Sequence, residues 1–443
     1  MNNSALSLEQ TPPLAVPLLF MLTAPLFPVL ASMVAMAYPE SLYNRWDPAM
    51  LTITHLLTLG FITMVMVGAL QQLFPVLVGV RLENPLLFSR VIYASLMTGT
   101  LILCSGFLLL TPVLTGAGAL LLGGSLLWLI IKLMSSLIRS DATGHVTVGM
   151  RLALLSFLLT VSFGLYLTAG YTLPQVPLQR SLTSLHIRWG LFGWIGLLIF
   201  TVSYQVVPMF QVTPKYPDKM IRWLAITMFS SLVLITIIRL TGLLPHNLDS
   251  GIVFACECLM LSGFTLFALV TLRLQQQRRR KVADVTMDFW RFGLSCLLLA
   301  LLMLALANAA QISIGDTDLV VGALLIVGFA MSLITGMLYK IIPFLVWLHL
   351  TNTIDISARW QMRIPNMKKI VPDKHARNQW RLHLLAVCLI MLSLMISSLM
   401  ISSLVFAASA AFMLSNLYLA FNLIRGAAVY QRFVRQFNLA ETD

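Results

Sequence analysis

Apolar runs of roughly 20 residues recur along the whole chain, each long enough to cross the hydrocarbon core of a bilayer. They show no period-two alternation, so they read as helices and not as barrel strands. Twelve runs are expected, at about 14–36, 49–80, 89–111, 113–138, 148–169, 184–211, 221–241, 250–274, 288–309, 319–348, 381–402 and 404–425. The chain is 59% hydrophobic and 10% charged, with a mean hydropathy of +0.89. A soluble domain carries about 25% charged residues. The expected class is an all-α polytopic membrane protein, with residues 1–443 as a single integral membrane domain. No basic segment precedes the first run, so no cleaved signal peptide is expected.

Three of the runs end in one signature: Gln72-Leu73-Phe74-Pro75, Gln205-Val206-Val207-Pro208 and Lys340-Ile341-Ile342-Pro343. Successive prolines are 133 and 135 residues apart. The residue four before each proline is also polar: Gln71, Tyr204 and Tyr339. This is a weak three-fold internal repeat. It marks spans two, six and ten as equivalent and predicts a pseudo-three-fold arrangement of four-helix arcs.

Loop charge sets the expected orientation. Lys and Arg fall between spans two and three (Arg81, Arg90), four and five (Arg139, Arg151), six and seven (Lys215, Lys219, Arg222), and eight and nine (Arg278, Arg279, Arg280, Lys281). Arg359, Arg363, Lys368, Lys369, Lys374 and Arg377 follow span ten, and Arg432 and Arg435 follow span twelve. The loop between spans nine and ten carries Asp316 and Asp318. By the positive-inside rule both termini are expected in the cytoplasm, and the expected location is a bacterial inner membrane. The expected cytoplasmic parts are the N-terminus 1–13, a basic loop 349–380 and a tail 426–443. The excess of 29 basic over 16 acidic residues is mostly a topology signal, so membrane lipids and not nucleic acid are the expected contact. The loop 349–380 reads equally as a segment lying on anionic headgroups or as a solvated connector.

A proline frees the carbonyl four residues earlier, here those of Gln71, Tyr204 and Tyr339. Two readings follow. The polar residues repair the backbone at a kink, or Gln72, Gln205, Tyr204, Tyr339 and Lys340 line the inner mouth of a pathway. An intramembrane cation such as Lys340 faces the interior or water, or snorkels to the surface. The pathway reading corresponds to a secondary transporter.

At the opposite ends of the same helices, His55 lies 20 residues before its proline and His186 lies 22 before its own. At 1.5 Å per residue the two sit at about the same depth. The third repeat has Val321 and Ala323 there. A lone histidine on an apolar helix is usually a hydrogen-bonded core residue. A matched pair on equivalent helices points to metal or haem ligation, because neutral imidazole is a common ligand for both. Gly60, Gly68, Gly190, Gly193 and Gly196 leave room for a flat cofactor or for close helix packing. Arg188 suits a carboxylate or haem-propionate partner, or an interfacial anchor; Trp189 and Trp194 suit the outer interface belt. Glu257 has no partner visible in the sequence. Cys256 and Cys258 do not share a helix face, and no disulfide is expected. The methionines on the signature helices read as core packing.

Twelve spans, cytoplasmic termini, a repeat of four helices, and histidines on spans two and six resemble subunit I of the haem–copper oxidases. In that family helices two, six and ten face inward. The resemblance implies that His55 corresponds to the low-spin haem ligand and His186 to the region of the copper ligand. The family's His-x-His pair on helix ten is missing, as is the His-His pair after helix six, and Gly190 stands four after His186 where the family has tyrosine. The chain is therefore more similar to the NnrS family of haem- and copper-containing membrane proteins, associated with nitric-oxide metabolism. The resemblance implies haem b or copper bound by His55 and His186, with Arg188 beside them. It implies no oxygen-reducing turnover, and roles in nitric-oxide tolerance, respiratory-complex assembly or cofactor handling. A cofactor-free scaffold associated with a respiratory complex or another membrane subunit is the other alternative.

Overall fold

The computed structural model describes residues 11–79, 83–140, 144–242, 245–279, 282, 284–310, 317–353, 364–395 and 401–440. Among them there is no β-strand, and twelve helices are long and apolar enough to cross a membrane. These are α1 (Ala15–Ala37), α2 (Pro48–Val76), α3 (Pro85–Leu108), α4 (Pro112–Arg139), α5 (His145–Thr172), α6 (Arg180–Gln211), α7 (Asp218–Thr241), α8 (Ser250–Gln276), α9 (Val285–Ala307), α10 (Thr317–Thr353), α11 (Asp373–Met395) and α12 (Ser402–Gln436). Arg81, Arg280, Lys281, Asp316, Arg359 and Arg363, which enter the topology reading, lie outside the described residues. So do 1–10 of the expected N-terminal segment, 354–363 of the basic loop and 441–443 of the tail.

Helix ends depart from the apolar runs where polar residues are themselves helical. Helix α11 begins at Asp373, eight residues before its expected start, because Lys374, Arg377 and Arg381 lie on its first turns. Helix α12 continues to Gln436, so much of the segment expected as a tail is helical. The short helix Met367–Ile370 buries Ile370, and Val371 lies against Gly426 of α12. Part of the basic loop is thus folded onto the bundle.

Contacts between neighbours run α1, α3, α4, α5, α7, α8, α9, α11, α12 and back to α1, which closes a ring. Helices α2, α6 and α10 lie inside it. Their most apolar stretches are 72%, 72% and 83% buried, whereas no ring helix exceeds 50%. Ring helices keep large apolar side chains exposed, such as Leu266 on α8 and Phe421 on α12. That is the composition of a lipid-facing surface.

Each inner helix changes from α to π winding for eight residues: Leu56–Thr63, Trp189–Gly196 and Leu324–Met331. Each segment begins 19 residues before its proline. A π turn takes up an extra residue and is a rare form of winding, met frequently at functional sites. The fifth residue of each is glycine: Gly60, Gly193 and Gly328. A Cβ at Gly60 would overlap Phe27 of α1. One at Gly193 would lie 2.8 Å from Ser156 Cβ of α5, and one at Gly328 2.9 Å from Cys296 Cβ of α9. Only glycine admits such approach between helices. The π segment of α10 touches those of α2 and α6. The Trp194 indole N–H donates to Thr63 Oγ1 at 3.3 Å, joining α6 to α2. Beyond the π segments α winding resumes and runs through Pro75, Pro208 and Pro343.

Candidate functional site

His55 is the last residue of an α-helical turn before the first π segment, and His186 precedes the second by three residues. Both side chains are half-buried. Their ring centroids lie 6.4 Å apart, with the planes inclined by 24°. His55 Nδ1 is 2.8 Å from the Leu51 carbonyl, and His186 Nδ1 is 3.0 Å from the Thr160 carbonyl of α5. A carbonyl only accepts, so both Nδ1 atoms carry the proton and both Nε2 atoms are left as acceptors. No hydrogen bond to either Nε2 is made among the described residues. Each imidazole is thus tied through one nitrogen and keeps the other as an acceptor, as in a hydrogen-bonded core histidine or in a ligating one.

The surroundings fix the rings. A Cβ at Gly164 of α5 would stand 3.1 Å from His186 Cε1, so that imidazole lies against bare backbone. The Phe107 ring of α3 is 5.4 Å from His55, centroid to centroid. Val321, at the matching place on α10, is buried and supplies no donor. Among the described residues no three His, Cys, Asp or Glu side chains gather as a metal site.

Arg188, two residues after His186 on α6, binds Glu257 of α8, with Nη2 to Oε1 at 2.6 Å. Glu257 therefore has a partner that sequence spacing could not reveal, since the two residues are 69 apart. Trp189 and Trp194 are buried, not in an interface belt, because both sit in the π segment of an inner helix. The Trp189 indole donates to Thr236 Oγ1 of α7 at 2.8 Å. All five cysteines are free, with Cys256 buried and Cys258 exposed.

The proline ends of the inner helices enclose a cavity of about 140 Å³. Gln72 and Gln205 line it; Tyr204, Tyr339 and Lys340 do not. Tyr204 is buried with its ring 5.1 Å from that of Tyr216, and its hydroxyl has no partner among the described residues. The Tyr339 hydroxyl accepts from Asn422 Nδ2 of α12 at 3.0 Å. Lys340 Nζ is 2.5 Å from Asp284 Oδ2, just before α9, so it neither snorkels free nor caps a proline-freed carbonyl.

Three participants escaped the sequence reading. Asp284 is one, and Glu257 as the partner of Arg188 is another. The third is His383, buried on α11, whose Nε2 is 2.8 Å from Ser332 Oγ of α10 with its ring 5.3 Å from that of Phe289. No local pattern marks any of them, because each partner lies on another helix. No protein-family model matches the chain, and no match to a curated protein was found.

Proposed function

We propose that this is an inner-membrane protein of a bacterium, distantly related to oxidase subunit I and NnrS-like proteins, that binds copper through His55 and His186. The observation that carries the reading is the paired imidazoles, each with Nδ1 tied to a carbonyl and Nε2 left as a ligand. With their centroids 6.4 Å apart, the two imidazoles are near enough to share one ion. Zinc favours four protein ligands in a structural site, whereas a pair of neutral nitrogens suits a low-coordinate, soft ion such as Cu(I). A haem needs a slot of several hundred Å³, and the close approach of His186 to Gly164 favours a single ion. Haem b on the same pair is the alternative outcome of the test below.

The repeat supports the family reading: winding changes, glycines and prolines recur at one register in α2, α6 and α10. Four helices per unit in three arcs is the arrangement this implies. Bound copper would supply one-electron exchange or a site for a small soft ligand. The chain's own groups do the positioning. The Leu51 and Thr160 carbonyls hold the ring protons, and Arg188 is engaged by Glu257. Oxygen reduction is not part of the proposal, since α10 offers no histidine at this depth. Nitric-oxide tolerance, respiratory assembly and cofactor handling are roles a copper site of this kind would serve.

The test is metal analysis and a reduced-minus-oxidised spectrum of the purified protein from copper- and haem-replete cells. Near-stoichiometric copper, lost in both His55→Ala and His186→Ala while the thermal midpoint holds, is the expected result. A b-type spectrum with the same dependence would reassign the ligand to haem. Neither metal above background would overturn the proposal.

A further inference from the structure

The cavity at the proline ends is separate from the histidine pair and uses none of its residues. Its wall repeats the internal register of the chain. Val65, Leu198 and Leu333 occupy one level, and Ala69, Val202 and Met337 the next. Gln72 and Gln205 share the level above; the third residue of that level, Lys340, is drawn away to Asp284. The lining is otherwise almost wholly apolar, and no charged side chain faces it. Met209, one of the lining residues, is exposed, so the space is reachable from the proline end.

Size and chemistry constrain the occupant. Apolar cavities of about 150 Å³ stay dry and take up molecules such as benzene or xenon; this one measures about 140 Å³. An ion is excluded, because nothing in the wall offsets its desolvation. Two polar atoms nonetheless stand without partners: Gln72 Oε1, an acceptor on a side chain 7% exposed, and Trp290 Nε1, a donor on one 2% exposed. Both residues line the cavity. Buried polar groups without partners are uncommon in folded proteins.

We propose that this cavity is a binding site for one small, uncharged, ring-sized molecule bearing a hydroxyl. Its apolar body fills the space between α2, α6 and α10. Its hydroxyl donates to Gln72 Oε1. Such a molecule enters from the proline end, where Met209 is exposed, and needs no charged path.

The test uses the full chain in lipid nanodiscs and fluorine NMR with 4-fluorophenol and fluorobenzene as probes. Saturable one-to-one binding of both is expected, the phenol tighter by about fivefold, the equivalent of one net hydrogen bond. Val202→Trp, which fills the cavity, abolishes both. Ala69→Phe does the same from the opposite wall and serves should Val202→Trp fail to fold. Leu266→Trp, on the lipid-facing side of α8, binds as the parent does. Gln72→Leu keeps fluorobenzene and loses the phenol preference. No saturable binding, or binding that survives in a folded cavity-filled variant, overturns the site. A phenol preference unchanged in Gln72→Leu overturns the assignment of the hydroxyl.

Discussion

Replacing Lys340 by glutamine gives the third signature the residue type of the other two, and the structure says what that removes. Lys340 Nζ and Asp284 Oδ2 are 2.5 Å apart, with side chains 24% and 15% exposed. A hydrogen bond between charged groups contributes about 1.5–3 kcal/mol, and partial exposure puts this pair near the middle, at about 2 kcal/mol. Asp284→Asn alone is expected to cost more, about 3 kcal/mol, because the ammonium is left half-buried and unpaired. Lys340→Gln alone leaves the carboxylate, the more buried partner, with a similar cost. In the double variant neither charge remains, and part of the loss returns. A double-mutant cycle read from unfolding in mixed micelles should therefore give a coupling of about 2 kcal/mol, roughly a 30-fold change in the unfolding constant. Raising the salt to 0.5 M should reduce it only slightly, since the pair is partly shielded from solvent. A coupling below about 0.5 kcal/mol would refute the claim that this pair anchors α10 to the start of α9.

Gly193→Ala should destabilise by about 1–3 kcal/mol, because its Cβ would meet Ser156 Cβ at 2.8 Å, while Gly124→Ala, with nothing within 4 Å, should be neutral or better in the same unfolding assay. Glu257→Gln should lower stability by about 1–2 kcal/mol, and the exchange Arg188→Glu with Glu257→Arg should recover part of it; equal loss in single and exchanged variants would count against the pair. Burial pushes the Tyr216 phenol above its ordinary range, against the opposing hydrogen bond to Thr271. The folded state then holds that proton more tightly than the unfolded chain. Its contribution is complete below about pH 10 and is lost as pH rises further, so Tyr216→Phe should flatten the alkaline limb of a stability–pH profile.

Spans two, six and ten were legible because apolar length and proline register are local properties of the chain. Gly60 and Gly193 were legible only as small residues on those helices; their common register with Gly328, and the close approach to α1, α5 and α9, came with the fold. The depth of His55 and His186 was legible for the same reason. Their proximity was not, since it depends on how α2 and α6 are rotated about their axes. Trp189 and Trp194 show the limit most plainly: at that depth aromatic residues suit the interface, and only their place on an inner helix buries them.

The sequence by itself determined the number of long apolar helices and the shared proline register of three of them, because hydrophobicity and helix rise act along one chain. Only the tertiary structure decided which polar side chains meet. It paired Arg188 with Glu257 and Lys340 with Asp284, turned Gln72 and Gln205 into an apolar cavity, and set two imidazoles 6.4 Å apart. Each of these depends on helix rotation and neighbour order, which follow from packing summed over the whole bundle and are written at no single position.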